Sequence, residues 1–516
     1  MPGMHVVDRR FATDHPGEAA RSGPLRGVRV VMPVGCPAAD PCSDAPPIMI
    51  LGAGIAGLVA AHELELLGHR VEVLEGSGRV GGRIFTHRFG AGGSGPLVEL
   101  GAMRVPGDHR YTLDYIARLG LSGKLRPFRT LFSEPRAYHA TSRGFVRLGQ
   151  AARILVEDFR AELADSRYRE ETVLFGAWLT AMGNAIGPAG FRERGFTAEL
   201  LDAVDRVDLA PFVVGADRDR VDLHAFFAAH PGARAGCGGR LARFVDDVLS
   251  ETSPDLVRLE GGMDQLVQAL VSRLRSPVRL GCEVVGLEVC GERVLVQVRT
   301  GDRVVTRSCP GVLCTLPFSV LRRIRLRNLS RAKVEAIRGM TYWPATKVAF
   351  HCREAFWTRD GISGGASFSG GRVRQTYYVP AECDPAQGAV LLASYTLGEE
   401  AESFGRMPAE DRHESVLREV GRMHPELLEP GMVIGAASMA WGHHWWSSGA
   451  AVSQWELDDA GRAEERLRAA SPENGLYFAG DHCSANPAWI DGAIRSAVDA
   501  ARQIHLDSRA RTAVSV

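Results

Sequence analysis

Residues 47–76 read PIMILGAGIAGLVAAHELELLGHRVEVLEG. An apolar run, a glycine turn, apolar positions at helical spacing and a second apolar run predict one βαβ unit. Gly52, Gly54 and Gly57 stand at the strand-to-helix junction in the pattern G-x-G-x-x-G. There they permit a tight turn and bring a pyrophosphate close to a helix N-terminus, whose unpaired N–H groups and dipole favour an anion. Glu75 closes the second strand, eighteen residues beyond Gly57, where a carboxylate can accept from the ribose hydroxyls of an adenosine. The unit places the chain in the α/β class. It does not by itself separate NAD from FAD.

The rest of the composition narrows the partner. At 516 residues, 45% hydrophobic and 24% charged, the chain has ample apolar material for two or three globular domains. Its 61 basic and 61 acidic residues balance, so no overall field favours nucleic acid or an anionic membrane, and a small-molecule partner is expected. No apolar run reaches the length of a membrane span. Arg9-Arg10 is followed by FATDHPGEAA rather than an apolar stretch, so a cytoplasmic protein without an export signal is expected. The ten cysteines show no C-x-x-C and no metal-like Cys/His spacing, which predicts reduced thiols and no metal site.

Residues 1–45 are rich in Pro, Gly and Ala with little periodicity and read as a flexible arm. Helical spacing dominates 108–255, as in RYTLDYIARLG and RLARFVDDVLS, and predicts an inserted helical domain. Strand patterns return in PVRLGCEVVGLEVC, RVLVQVRT and GVLCTLP, expected to form a sheet meeting the first. A second β block runs from TKVAFHC to VLLASYT and reads as an antiparallel layer over a cavity.

GSGRVGGRI follows Glu75 at once, with Arg79 and Arg83 placed around Gly81-Gly82 as further phosphate-side donors, and YFAGD stands near the C-terminus. Together these stretches resemble the flavin amine oxidase family, within the FAD-binding fold of the glutathione-reductase type. The resemblance covers roughly residues 47–505. It implies a doubly wound FAD-binding domain built from 46–107, 256–320 and 446–516, an antiparallel-sheet substrate domain over 321–445, and a mainly helical 108–255 carrying part of the substrate domain. It also implies FAD-contacting roles for Gly52, Gly54, Ala56, Gly57, Glu75, Gly76, Arg79, Gly82, Arg83, Gly101, Ala102, Met103, Arg104, Val284, Gly480, Asp481, Trp489 and Ile490. Covalent members carry a cysteine after a Gly-Gly pair where this chain has Gly449-Ala450-Ala451, so the FAD is expected to be non-covalent.

Within the family, GAMRVP looks like the L-amino acid oxidase branch, which implies that Arg104 binds the substrate α-carboxylate. A planar guanidinium does this through two parallel charge-assisted hydrogen bonds that also fix the Cα–H direction. The alternative is an arginine paired with a protein carboxylate or reaching solvent. In RQTYYVP, Tyr378 is the tyrosine the resemblance places on the same carboxylate, with Tyr377 open as the other choice. Lys347, in PATKVAFHC, resembles the lysine that holds a water against the flavin N5, and would be the catalytic residue; a snorkelling edge lysine is the alternative. In NPAWIDGAIRSA, Trp489 resembles an aromatic wall beside the flavin. Ala488 stands where glycine is common, and its carbonyl can accept from the substrate amine. The helix start at Asp491-Gly492 can face the anionic flavin edge. His443, His444, Trp445 and Trp446 are open between shaping a side-chain pocket and packing a loop.

These residues imply an FAD-dependent L-amino acid oxidase, giving the 2-oxo acid, ammonia and hydrogen peroxide, with oxygen as acceptor, and Trp445 and Trp446 favour an aromatic or bulky substrate. The resemblance also implies a homodimer. A monoamine or polyamine oxidase, an amino-acid monooxygenase of the same fold, and a flavin-binding scaffold are the rival readings.

Overall fold

The computed structural model describes residues 46–163, 167–187, 198–215, 217–235, 238–454 and 457–514. The expected arm, 1–45, lies outside the described residues. The strand Ile48–Leu51 runs into the helix Ile55–Leu66, and the chain returns in the strand Val71–Leu74. These two strands lie side by side and parallel, and Val278–Arg279, Val312–Cys314 and Leu476–Phe478 complete a five-stranded parallel sheet. Strand alternation then assigns its two faces. Ile48 and Ile50 pack into a core shared with the helices Ile55–Leu66 and Ile490–Val514, while Met49 and Leu51 pack against Val284, Val294 and Val296 on the other side. A parallel sheet covered on both faces is the expected outcome for strands that read as continuous apolar runs.

The central β stretch divides differently from the sequence expectation. Val278–Arg279 and Val312–Cys314 join the parallel sheet, but Glu283–Cys290, Arg293–Thr300 and Arg303–Cys309 form an antiparallel meander, with Arg325–Arg327 at its edge, that makes the covering layer. The predicted helix in RYTLDYIARLG, now Arg110–Arg118, also belongs elsewhere than the helical insertion. Tyr115 and Ile116 lie in the core of the nucleotide-binding half, and Asp491 accepts from the backbone N–H of Thr112 at 3.0 Å.

The second half is a seven-stranded sheet ordered Val433–Ala440, Ala345–Cys352, Ala389–Leu397, Gln375–Tyr378, Ala366–Phe368, Tyr138–Thr141, Gly144–Arg147. One face carries Ala349, Phe368, Tyr377 and Leu392 into an apolar core with Phe159, Phe175, Phe226 and Phe244 of the helical region. The opposite face carries Val348, Phe350, Tyr378 and Leu391 into a separate core with Phe404 and Val416. Tyr377 and Tyr378 are therefore on opposite faces, as a period of two requires.

Gly57 sets how closely the first helix meets its strand. A Cβ there would stand 1.9 Å from the Gly52 carbonyl oxygen, so any side chain forces the helix away. Gly57→Ala is expected to lower the apparent Tm by several degrees through overpacking of about 1–3 kcal/mol and to weaken FAD retention. A scanning melt of apo- and FAD-loaded protein checks this; an unchanged Tm would remove the packing role.

Candidate active site

A cavity of about 590 Å³ opens where the glycine turn leaves the parallel sheet and continues to the face of the seven-stranded sheet. This is the position at which open α/β sheets bind ligands, outside the carboxyl ends of the strands. Two glycine turns form its neck. Gly54 bridges Gly81, and a Cβ at Gly82 would come within 3.2 Å of the Gly54 Cα, so the backbones approach as closely as glycine allows. Gly52, with φ +102°, makes the turn itself.

Most of the expected cofactor contacts line this cavity: Gly52, Gly54, Ala56, Glu75, Gly76, Arg79, Gly82, Arg83, Gly101, Ala102, Val284, Gly480, Asp481, Trp489 and Ile490. Three do not. Gly57 packs against Gly52 as described, Met103 is buried in the apolar core beside Leu100 and Leu131, and Arg104 lies behind the wall. Glu75 accepts from the backbone N–H groups of Ala53 and Ser77, each at 2.8 Å, which fixes its carboxylate at the end of its strand. Arg83 and Asp481, from opposite ends of the chain, form an ion pair, and Arg83 also donates to the Ala450 carbonyl at 3.0 Å. Burial alone would raise the Asp481 carboxyl, but the Arg83 guanidinium holds it well below the usual carboxylate range. The start of the helix Ile490–Val514 reaches the wall through Ile490 and Ala493, while the Asp491 side chain turns away to Thr112.

The cradle fits FAD. Backbone approaches that only glycine allows, a helix N-terminus at Ile55, a carboxylate at the ribose position, and a buried Arg-Asp pair are the donor and acceptor set a flavin adenine dinucleotide needs.

At the other end of the cavity, Lys347 and Tyr395 reach the wall from neighbouring strands of the seven-stranded sheet. Lys347 donates to the carbonyls of Gly101 at 2.7 Å and Glu99 at 3.2 Å, and its ammonium lies 4.6 Å from the centre of the Tyr395 ring. Burial, helped by the charge of Arg104, pushes the Lys347 amine down to about 7. The Glu99 carboxyl is pushed up to about 7 by burial, against the hydrogen bonds it accepts from Met263 and Thr86. Lys347 is thus no snorkelling edge residue: it is buried, it lines the cavity, and its amine is held by two backbone carbonyls.

Arg104 stands behind Lys347 and Tyr395, only 6% exposed, with its guanidinium near the rings of Phe128 and Tyr377 at 5.5 and 5.9 Å. It donates to the Tyr377 hydroxyl at 2.8 Å and forms an ion pair with Glu251, near the C-terminal end of the helix Gly238–Thr252. The tyrosine on the arginine is therefore Tyr377 and not Tyr378. The Tyr378 hydroxyl lies on the opposite sheet face, hydrogen-bonded to Ser367 at 2.5 Å and His424 at 2.6 Å. Burial pushes the Tyr377 phenol up to about 12, so it keeps a proton it can donate.

Ala488 and Trp489 line the cavity, and Ala488 has φ +68°, a left-handed backbone that glycine would adopt more easily. The Trp489 ring meets His109 edge-on at 4.9 Å. The aromatic loop is not part of the arginine cluster. Trp446 lies on Gly76 at the nucleotide end, where a Cβ would be 2.3 Å from its ring; Trp445 is 56% exposed beneath Arg323; and His443 sits 3.2 Å from Glu402. His444 lines the nucleotide end with Arg79, and burial pushes its imidazole down to about 4. The turn that closes this loop, Gly449 N–H to the Trp441 carbonyl at 2.9 Å, swings these side chains away from Arg104. Sequence reasoning missed Phe128, Tyr395, Glu251 and Trp441, whose indole donates to Leu100 at 2.8 Å. No local motif marks them. Among the described residues no cluster of metal-binding side chains is present, and no helix is long and apolar enough to cross a membrane.

The chain matches the flavin-containing amine oxidoreductase family over residues 55–505. It belongs to that family. It is 63% identical over 460 residues to the flavin-dependent L-tryptophan oxidase RebO of Lentzea aerocolonigenes, covering 89% of this chain and 97% of the relative. It is 29% identical to the L-amino-acid oxidase of Mus musculus, covering 89% of this chain and 70% of the relative. A putrescine oxidase structure superimposes with a TM-score of 0.60 at 21% identity over 89% of this chain and 98% of the other, and the cyclohexylamine oxidase of Brevibacterium oxydans IH-35A with 0.59 at 17% identity over 90% and 99%. Those two likenesses establish the fold.

The titration of Lys347 gives a test on the apo-protein. An unfolded lysine carries its proton to about 10.4, whereas the folded one loses it near 7, so between these values the unfolded chain binds more protons and stability rises with pH. Glu99 acts in the opposite sense at lower pH, between its unfolded value of about 4.3 and 7. Urea denaturation should therefore show wild-type stability increasing from pH 7 to 10 and Lys347→Met lacking that increase. Parallel pH profiles would mean that the amine keeps its proton in the fold.

Proposed function

We propose that this FAD-dependent L-amino acid oxidase takes an aromatic substrate, L-tryptophan first, and that Arg104 and Tyr377 hold its carboxylate. The supporting observation is a guanidinium buried among aromatic rings, bonded to a tyrosine hydroxyl, directly behind the lysine that reaches the cavity. A substrate carboxylate there accepts from the Arg104 fork and from the O–H of Tyr377, which fixes the carboxylate plane and, once the amine is also held, the Cα–H direction. Tyr395 on the cavity wall, with Phe128 and Tyr377 around the guanidinium, makes this end of the molecule aromatic, in keeping with an aromatic substrate. The relative at 63% identity is an L-tryptophan oxidase, which favours the same substrate.

FAD bound in the cavity supplies the two-electron acceptor for the Cα–N bond and passes the electrons to oxygen as hydrogen peroxide. The protein's part is positioning. Ala488 and Trp489 wall the amine side, with the Ala488 carbonyl available to accept from the amine. Lys347, held by two carbonyls, keeps a donor, and through it a water, at the reacting end of the cavity. The imino acid released hydrolyses to the 2-oxo acid and ammonia. Gly449-Ala450-Ala451 contains no cysteine, and two of its residues line the cavity, in keeping with non-covalent FAD. A homodimer and a cytoplasmic location complete the proposal, resting on the family resemblance and the sequence respectively.

Arg104→Met is expected to lower kcat/KM for L-tryptophan at least about thirtyfold, the loss typical of truncating one partner of a buried charge pair, with FAD still bound. Tyr377→Phe should raise KM by a smaller factor. Tyr378→Phe should lower the Tm, since it strands buried partners at Ser367 and His424, and leave KM unaltered. Steady-state peroxide assays and melts on the three variants check the assignment; a KM effect at Tyr378 and none at Tyr377 would reverse it.

A further inference from the structure

The carboxylate on Arg104 in this structure belongs to the protein. Glu251 is held in an ion pair by one terminal nitrogen of the guanidinium while the other donates to Tyr377, so both terminal nitrogens have protein partners. Two features show that Glu251 stands there because of the arginine. It sits in the last turn of the helix Gly238–Thr252, where the helix dipole disfavours a negative charge, and its carboxylate is drawn into the pair with Arg104, whose surround is otherwise aromatic. An empty site would otherwise leave a buried, unpaired guanidinium, a costly state.

We infer that Glu251 is an internal occupant of the carboxylate site, which the substrate must displace, and that it thereby sets substrate affinity. The inference rests on the reading of Arg104 as the carboxylate-binding residue. Burial decides which partner yields: the Arg104 side chain is 5% exposed and that of Glu251 is 20% exposed, so the glutamate can swing toward water while the arginine stays. The exchange is one carboxylate for another. Charge at the arginine is conserved throughout, and only a ligand carrying its own carboxylate completes it. An amine without that group has nothing to exchange for Glu251 and leaves its pair with Arg104 intact. The apparent affinity of the true substrate is correspondingly reduced by the fraction of molecules in which Glu251 holds the fork.

The test uses the FAD-loaded enzyme. Glu251→Gln replaces the competing charge with a neutral amide, and KM for L-tryptophan should fall at least about threefold, by a larger factor than kcat changes. The dissociation constant of indole-3-acetate, a carboxylate without an amine read through its perturbation of the flavin spectrum, should fall by a similar factor. Glu251→Asp, which keeps the charge but shortens the reach, should lower KM by less, and serves if the glutamine variant does not fold. In an Arg104→Met background, Glu251→Gln should leave KM where Arg104→Met alone puts it. An unchanged or raised KM in Glu251→Gln, or an effect that persists without Arg104, overturns the inference. If instead Arg104→Met itself leaves KM for L-tryptophan unaltered, the proposed function fails, whatever Glu251 does.

Discussion

A guanidinium enclosed by Phe128 and Tyr377 has to be matched by a negative group, and much of the substrate half of this molecule is arranged around that requirement. The backbone of Gly101 and Ala102 lines the cavity and leads directly into Arg104, while Gly101 also accepts the bond that fixes Lys347. The antiparallel bridge between Val105 and Val257 brings the segment after the helical region, and so the end of the helix bearing Glu251, against the segment that carries the arginine. The charge is therefore met from two directions, the seven-stranded sheet through Tyr377 and the helical region through Glu251.

The flavin half follows a simpler logic. Its sheet is buried on both faces, its glycines remove side chains where backbone must come close, and the ion pair of Arg83 with Asp481 joins the N-terminal and C-terminal signatures across the cavity. Neither partner of that pair is close to the other in sequence, yet both belong to motifs recognisable alone. The cavity is continuous from Glu75 to Tyr395. FAD held with its adenosine by Glu75 would share this cavity with Lys347.

What was legible in the sequence was whatever depends on short spacing. The glycine turn, Glu75, the arginines after it and Asp481 owe their positions to local geometry, and the structure brings them to one cavity. Tyr377 could not be separated from Tyr378, because which face a strand residue takes depends on pairing with Leu391 and Leu392, set far along the chain. The helix Arg110–Arg118 carried the right periodicity, but periodicity does not say which core its apolar face enters. Trp445 and Trp446 suggested an aromatic substrate pocket by composition; a turn closed by Gly449 sends them to the nucleotide end instead. Glu251 had no signal at all, being one acid among many on an amphipathic helix until the fold placed it on Arg104.

The most direct measurement is anaerobic mixing of the FAD-loaded protein with L-tryptophan, D-tryptophan and tryptamine, following the flavin absorbance at about 450 nm. Tryptamine keeps the indole and the amine and lacks only the carboxylate. Rapid bleaching by L-tryptophan, with D-tryptophan and tryptamine inert, is the predicted result, because only the L-acid can engage the arginine with its Cα–H turned toward the cavity. Bleaching by tryptamine as fast as by L-tryptophan would contradict the account, leaving Arg104 a structural partner of Glu251 in an enzyme that does not read the carboxylate.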